Sequence, residues 1–362
     1  MAVLLQGGMA LATEPASSLR HEVICRKTPS CQMTLMARLP HAPFPYDGMV
    51  GDTGQPFFEG MDAAHGQRLH RVSEELSYPE SPHYRDNRVL IHLPPQFKPD
   101  NPFEIVVFFH GHMTELNRTV VDEMALPDQI NATGRNLLLV APQMVLEGAD
   151  SSPGKLYRPG GFDNLLQDVS KVLKSRMGKT FAARFDRAPV ILTAFSGGFR
   201  ATAYTLDRGF ANQKPLKKPN KGDKKNKRDK PGKEEIPDKR VSPDKRDARL
   251  RGVILVDALY SDTEKFNAWL RHPGRRGFFV NLYGPSSAPL SQQLQQEWDQ
   301  CKLPWSERLK GKIKPKGLYS LSVETHHDSI LLAGPPSWPL VEILKKFGNP
   351  TTSPPAPPRS RK

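Results

Sequence analysis

The sequence predicts a mostly parallel, doubly wound α/β sheet with helices on both faces. Short and almost uninterrupted apolar runs recur between residues 88 and 323, a pattern typical of strands that are buried on both faces. Segments with helical spacing of their apolar residues separate these runs, as the crossovers between parallel strands require. A single large α/β domain accounts for this part of the chain.

The predicted strands are runs rich in Val, Ile, Leu and Phe. They cover residues 88–93, 103–109, 136–141, 189–194, 252–256, 277–282 and 317–323. The predicted helices carry apolar residues three or four positions apart, which places them on one helical face. They cover residues 119–130, 162–177, 198–206, 263–271, 290–298 and 338–347.

Three segments fall outside this alternation. Residues 1–48 have low apolar density and several prolines, so we expect a poorly ordered leader. Residues 212–250 are a Lys- and Pro-rich insertion that cannot offset its ordering entropy by burial, and we predict that it is disordered. Residues 348–362 are a Pro-rich tail, also predicted to be disordered. The α/β domain is therefore expected to span residues 49–347.

The formal net charge is +14, with 52 Lys and Arg against 38 Asp and Glu. An excess of this size often marks a nucleic-acid binder. However, residues 212–251 hold 16 basic and 7 acidic residues, a net charge of +9, and no aromatic side chain for base stacking. We therefore predict no nucleic-acid partner, and keep a basic-loop-mediated binder of an acidic partner as an alternative.

Composition excludes several classes of protein. No run approaches the ~18 apolar residues of a membrane helix, so no integral membrane segment is expected. Cys25, Cys31 and Cys301 are too few and too scattered for a disulfide scaffold or a structural zinc site. No positive charge precedes the apolar N-terminal stretch, so we expect no export signal and a cytoplasmic location. No cofactor is expected either, and the oligomeric state stays open.

Reactive groups are expected at the carboxyl ends of the strands, where open parallel sheets bind their ligands. The strand predicted at 189–194 ends in Ala194-Phe195-Ser196-Gly197-Gly198. A serine flanked by small residues between a strand and a helix is the arrangement of a nucleophile elbow, and the helix amides there face a developing oxyanion. This pattern predicts that Ser196 is a nucleophile. The alternative is a serine that only caps the helix.

A His-Gly-His sequence follows the strand predicted at 103–109. A His-Gly pair after a buried strand commonly precedes the residue whose backbone N–H completes an oxyanion hole. The predicted donor is therefore His112, paired with Gly197. Two histidines at this spacing could bind zinc instead, but residues 113–116 lack the further Asp and His of a dinuclear site. We therefore expect no metal.

A general base for Ser196 is expected among the two adjacent histidines after the last predicted strand. His327 is favoured because Ile330, one turn later, would anchor the closing helix, and His326 is the alternative. Such a base accepts the serine proton as the hydroxyl attacks a carbonyl group.

The acid that orients this base is expected to be Asp257, directly after the strand at 252–256. The loop after the next strand, residues 283–287, contains no carboxylate, so the acid cannot come from there. An acid in this place holds the imidazole tautomer and stabilises its cation. Asp262 and Glu324 are weaker candidates, and an Asp that merely caps the next helix is the structural alternative.

With these motifs in place, the sequence resembles the α/β-hydrolase family of serine hydrolases. The resemblance covers roughly residues 70–347 without the insertion, and nucleophile, acid and base occur in the family's order. It implies an eight-stranded type of sheet and an esterase- or lipase-like enzyme that hydrolyses small acyl esters through an acyl-enzyme. Three features depart from the family pattern: Ala194 replaces a glycine, Gly111 is single where many esterases have several, and Asp257 stands one strand early.

The fold does not guarantee the chemistry. A non-catalytic α/β-hydrolase-like binding protein is therefore the main alternative to a serine hydrolase. The aromatic residues Phe195, Tyr157, Phe162 and Tyr260 are candidates for apolar walls of a substrate site, although such residues more often belong to a core.

Overall fold

A ten-stranded sheet is the framework of the part of the chain that the structure describes. That part, in a computed structural model, comprises residues 21–23, 33–208, 249–332 and 338–348. The strands are β1 (His21–Val23), β2 (Met33–Arg38), β3 (Gly60–Asp62), β4 (Gln67–Arg71), β5 (Ser77–Pro79), β6 (Arg88–Leu93), β7 (Glu104–Phe109), β8 (Leu137–Pro142), β9 (Val190–Phe195), β10 (Leu250–Val256), β11 (Phe278–Tyr283), β12 (Trp305–Ser306) and β13 (Leu318–Ser322).

The strand order is β1-β2-β6-β8-β7-β9-β10-β11-β13-β12. From β8 to β12 all neighbours are parallel, whereas β1, β2 and β6 add antiparallel pairs at one edge. The short edge strands β1 and β12 extend the eight-stranded sheet that the resemblance implies. Strands β3, β4 and β5 form a separate antiparallel sheet.

Eight α-helices lie in the described part of the chain. They are α1 (Glu80–His83), α2 (Leu126–Ala132), α3 (Gly161–Met177), α4 (Lys179–Phe185), α5 (Phe199–Arg208), α6 (Thr263–Leu270), α7 (Ala288–Gln300) and α8 (Pro339–Lys345). Helices α3, α5, α6, α7 and α8 each begin within two residues of a predicted helix, and α1 and α4 are additions to the prediction. Within the described ranges, no helix combines the length and the apolar character that a bilayer span needs.

The core lies in two layers, one on each face of the sheet. Along β7, Ile105, Val107 and Phe109 pack with the layer that contains residues of α3 to α7. Val106 and Phe108 pack with the opposite layer, which contains residues of α2 and α8. Alternate residues of one strand thus enter different layers, as they must in a strand covered on both faces. The predicted fold class, a mostly parallel, doubly wound α/β sheet with helices on both faces, is confirmed.

The predicted poorly ordered leader, residues 1–48, needs correction where the structure describes it. Residues 33–38 form β2, which pairs with β6 along its whole length. Leu35 and Met36 are buried in opposite core layers, and Phe44 is fully buried. A short strand needs only a few apolar residues, and the prolines that follow it obscured this signal. The ordered domain therefore begins before residue 49, while residues 1–20 and 24–32 lie outside the described part.

The predicted insertion, residues 212–250, lies outside the described residues except for its last two. Leu250 is the first residue of β10. Arg249 donates hydrogen bonds to the backbone oxygens of Phe185 and Ala188, at 2.8 and 3.0 Å. The boundary at residue 250 is thus too late, because these two residues belong to the α/β domain. Of the predicted tail, only Gly348 is described.

The single helix predicted at 119–130 is in fact two segments. A π-helical segment covers Leu116–Glu123, and α2 begins at Leu126. Ala125 between them has a φ of 48°, in the left-handed region. Pro127 supplies the physical reason, because proline favours the first turn of a helix and disrupts the interior of one.

Candidate active site

Ser196 lies at the tip of the turn between β9 and α5, at the carboxyl edge of the sheet. Its φ of 50° is in the left-handed region, which costs a non-glycine residue about 1 kcal/mol or more. Close packing maintains this strain. A Cβ on Gly198 would overlap the carbonyl oxygen of Phe109, and a Cβ on Gly111 would lie 2.6 Å from the Cβ of Ser196. The ends of β7 and β9 therefore fix the serine.

His327 lies between Ser196 and Asp257, in a 3₁₀ turn after β13. Its Nε2 is 2.9 Å from Ser196 Oγ, and its Nδ1 is 2.6 Å from Asp257 Oδ2. The ring of Phe195 stacks on the imidazole with centroids 4.9 Å apart, and the ring of Tyr260 stands nearly perpendicular to it. These two aromatic contacts hold the imidazole in the plane that joins the serine to the carboxylate.

The structure directs His327, rather than the adjacent alternative His326, towards Ser196. His326 has an extended backbone, with φ −60° and ψ 148°, and its side chain is exposed. Ile330 is fully buried in the core layer that contains α8. The apolar anchor that favoured His327 in the sequence is therefore present.

Asp257 is fully buried and accepts hydrogen bonds from three residues besides His327. The backbone N–H of Gly284 donates to Oδ1 at 3.0 Å, and the hydroxyl of Ser286 donates to Oδ2 at 2.8 Å. The hydroxyl of Ser287 also donates to Oδ1. The loop after β11 contains no carboxylate. It instead supplies three hydrogen-bond donors to Asp257, which directly follows β10.

These donors determine the charge of Asp257. Burial alone would raise the pKa of its carboxyl group, since it disfavours the charged form. The hydrogen bonds from His327, Ser287, Gly284 and Ser286 outweigh burial and hold that pKa well below its usual range. Asp257 is therefore an anion at any pH near neutrality.

The weaker acid candidates lie elsewhere. Asp262 accepts hydrogen bonds from Arg200 Nε at 3.1 Å and from Lys265 Nζ at 3.0 Å, so it belongs to a surface ion-pair network. Glu324 is exposed in the loop after β13. Of the three carboxylates considered from the sequence, Asp257 is the one that contacts His327.

His112 lies against the turn that contains Ser196. A Cβ on Gly197 would be 2.7 Å from Nε2 of His112, so the imidazole packs directly over this glycine. Its Nε2 is 2.8 Å from Ser151 Oγ. Partial burial lowers the pKa of the His112 imidazole; the charge of Asp150 opposes this shift, and the charges of His327 and Arg200 add to it. The residues predicted to supply both oxyanion donors are thus adjacent.

His110 has a structural role that the sequence did not reveal. Its Nδ1–H donates to the carbonyl oxygen of Gly111 at 2.8 Å, and its Nε2 accepts from the backbone N–H of Met144 at 2.8 Å. Burial lowers its pKa to about 4, so the ring is neutral. Both nitrogens are engaged, which leaves neither for the zinc alternative. No group of three or more potential metal ligands occurs within the described residues.

The four aromatic residues predicted to line a substrate site fall into two pairs. Phe195 and Tyr260 contact His327 as described above. Tyr157 packs instead in an aromatic cluster with Tyr204, at 4.7 Å between ring centroids, and Phe162 is buried in the main core. The sequence does not distinguish the two pairs, because an aromatic residue near the end of a strand can pack in the core as well as line a substrate site.

Two sets of residues at this site were missed from the sequence. Ser286 and Ser287 follow β11, where only the lack of a carboxylate was noted, although two hydroxyls after a strand could have been recognised as donors. Ser151 follows β8 in a loop without any recognisable motif, so no sequence signal identifies it.

The chain resembles several solved structures of esterases and hydrolases. A feruloyl esterase module from Clostridium thermocellum is 12% identical over 84% of this chain and 96% of that one, with a TM-score of 0.42. An S-formylglutathione hydrolase from Agrobacterium tumefaciens is also 12% identical, over 80% and 99%, with a TM-score of 0.39. The serine hydrolase FphF from Staphylococcus aureus is 9% identical, over 75% and 96%, with a TM-score of 0.40.

No family model and no curated protein matches the chain.

Proposed function

We propose that this protein is a serine hydrolase that cleaves small carboxylic esters through an acyl-enzyme. The observation that carries the proposal is the continuous path of hydrogen bonds from Ser196 Oγ through His327 to Asp257, at 2.9 and 2.6 Å. A serine in a strained turn, an imidazole and a buried carboxylate in this arrangement have the geometry of a catalytic triad.

In the first step, Ser196 Oγ attacks the ester carbonyl and His327 Nε2 accepts the serine proton. The Nδ1–H of His327 faces Asp257, which sets the tautomer and leaves Nε2 free to act as the base. Because the depressed pKa of Asp257 keeps it ionised, its charge stabilises the imidazolium that forms. The same proton is then donated to the leaving alkoxide.

The oxyanion of the tetrahedral intermediate would be bound by the backbone N–H groups of His112 and Gly197. Gly197 lies in the first turn after β9, where N–H groups have no acceptor inside the helix, and the helix dipole there favours negative charge. Water then attacks the acyl-enzyme with His327 again as the base, which releases the acid and restores Ser196.

The proposal is tested by kinetics of Ser196→Ala on p-nitrophenyl esters with acyl chains from acetyl to octanoyl. Loss of one triad member should lower kcat/KM on the order of 10⁴-fold or more, while the fold remains intact. Ser175→Ala is a matched control, because within the described residues the Ser175 hydroxyl bonds only the carbonyl oxygen of Val172 in its own helix, at 2.7 Å. Thermal unfolding of both variants checks the fold.

Full activity of Ser196→Ala would show that the nucleophile is wrongly assigned. If the folded wild-type protein hydrolyses none of these esters and no amide analogues, the non-catalytic binding protein replaces the enzyme as the better account.

A further inference from the structure

The loop after β8, residues 143–152, lies alongside residues 110–116 and is bonded to them repeatedly. The side-chain amide of Gln143 donates to the carbonyl oxygen of Thr114 at 2.9 Å and to Nε2 of His110 at 2.9 Å. Its Oε1 accepts from the backbone N–H of Leu116 at 3.0 Å. Gln143 is fully buried, and both amide N–H groups and the amide oxygen bond to the neighbouring segment.

A second bond from this loop maintains a strained residue. Met113 has a φ of 54°, in the left-handed region, and its backbone N–H donates to the carbonyl oxygen of Gly148 at 3.1 Å. Such strain persists only where the surroundings determine the conformation. The peptide group between His112 and Met113 is therefore oriented by a contact with the loop after β8. The peptide group between Gly111 and His112 is oriented by His110, whose Nδ1–H donates to the carbonyl oxygen of Gly111.

Within this loop, Ser151 is the residue that bonds the His112 side chain. Its Oγ is 2.8 Å from His112 Nε2. A Cβ on Gly197 would lie 2.9 Å from this Oγ as well as 2.7 Å from the imidazole nitrogen. The serine and the histidine thus both pack on Gly197, the residue directly after Ser196, and only a glycine leaves room for them.

Ser151 is itself held between two fixed residues. Asp150 accepts hydrogen bonds from the hydroxyl of Tyr84 at 3.0 Å and from the backbone N–H of Ser152 at 2.8 Å. Ser152 lies next to His70, with its Oγ 3.3 Å from the imidazole Nε2. Asp150 and Ser152 are 6% and 3% exposed, so Ser151 has little freedom to move away from His112.

We propose that Ser151 is a positioning residue of the oxyanion hole: its hydroxyl fixes the His112 ring against Gly197 and so keeps the N–H groups of His112 and Gly197 directed at one point. The proposal rests on the proposed function, because it concerns the same reaction. In this proposal, Ser151 contacts neither the nucleophile Ser196 nor the reacting carbonyl group. It acts through His112.

The test compares an ester with its thionoester, in which sulfur replaces the carbonyl oxygen and is a much poorer hydrogen-bond acceptor in the tetrahedral intermediate. Ser151→Ala should lower kcat/KM for p-nitrophenyl acetate about 10- to 100-fold, the scale of a misplaced catalytic group. It should lower kcat/KM for p-nitrophenyl thionoacetate far less, so the ester-to-thionoester rate ratio falls. The ester loss should appear in kcat rather than in KM.

Two further variants separate positioning from a general structural effect. Ser151→Thr retains the hydroxyl and should recover most of the ester-to-thionoester ratio. Ser175→Ala, remote from the site, should keep the wild-type ratio. Thermal unfolding of all three variants establishes that they are folded.

The outcomes distinguish this proposal from the proposed function. If the wild type is active, Ser196→Ala is inactive and Ser151→Ala keeps the wild-type ratio, the role of Ser151 is wrong and the triad stands. An equal loss on ester and thionoester would likewise overturn the oxyanion role. If the wild type hydrolyses neither compound, the proposed function fails, and Ser151 has no reaction to serve.

Discussion

The two sides of the candidate site are built in different ways. On the Asp257 side (residues 257–262, 284–287 and 326–330), each polar group lies in the segment that follows one of three neighbouring strands, β10, β11 and β13. On the His112 side (residues 110–116 and 143–152), the contacts depend on a long loop, which is fixed in turn by residues of the small sheet and of the segment that follows it. In the proposed mechanism, the first side supplies the carboxylate and the imidazole, and the second side orients backbone N–H groups.

This difference explains which effects a substitution on each side should have. In the proposed mechanism, Asp257 and His327 act through charge and proton transfer, which disappear when one side chain is removed. The His112 side acts through the direction of N–H groups, which several bonds determine together, so the loss of one bond should only weaken it.

The largest effect is expected for His327→Ala on the Asp257 side. Without the imidazole, Ser196 has no base, and kcat for a small acyl ester should fall on the order of 10⁴-fold or more. The neighbouring variant His326→Ala is the control, and its kcat should stay within about twofold of the wild type because its side chain is exposed. A reversed pair of results would transfer the role of base to His326.

On the His112 side, the next largest effect concerns the stability of the fold at low pH. The pKa of His110 is lowered from 6.5 to about 4 by burial. Between these two pH values the unfolded protein therefore binds a proton that the folded protein does not. The contribution to stability is fully present above pH ~6.5 and is lost as the pH falls to ~4, which amounts to about 3 kcal/mol.

Urea unfolding at pH 7, 5.5 and 4.5 measures this contribution. His110→Gln should have a smaller free energy of unfolding than the wild type at pH 7, because hydrogen bonds are lost. Between pH 7 and pH 4.5, however, its free energy of unfolding should decrease less than that of the wild type. His326→Gln, an exposed histidine, should retain the wild-type slope. Equal slopes for the wild type and His110→Gln would contradict the buried neutral imidazole.

The smallest of these effects sharpens the description of the Asp257 side. Ser287 is buried and donates to Asp257, and a hydrogen bond to a charged group contributes about 1.5–3 kcal/mol. We expect Ser287→Ala to lower kcat about tenfold, because the carboxylate is held less firmly towards His327. Ser286→Ala should cost less, since water can replace an exposed hydroxyl. Unchanged kcat in Ser287→Ala would show that the remaining donors suffice.

Much of the sheet could be predicted because buried parallel strands have a local signal. Strands β6 to β11 and β13 lie within one or two residues of their predicted limits, since continuous apolar runs between helices have few other interpretations. The strands of the small sheet, β3 to β5, are short and largely polar or exposed. Nothing in their sequence indicates that they pack together, so they were missed.

The same division applies to the site. Ser196, Asp257 and His327 could be predicted because each lies in the segment that follows a strand, and the fold brings the ends of those strands together. The bond between His112 and Ser151 joins residues 39 positions apart in the chain, and it depends on how the loop after β8 is anchored. Such a contact has no local signal, and only the packed structure reveals it.

The measurement that tests the central claim most directly is the site of covalent modification by a fluorophosphonate probe. The account predicts one adduct per chain by intact mass, located at Ser196 by peptide mapping, absent from Ser196→Ala and formed far more slowly in His327→Ala. No adduct on the folded protein, or an adduct on another residue, would contradict the claim that Ser196, His327 and Asp257 form a catalytic unit.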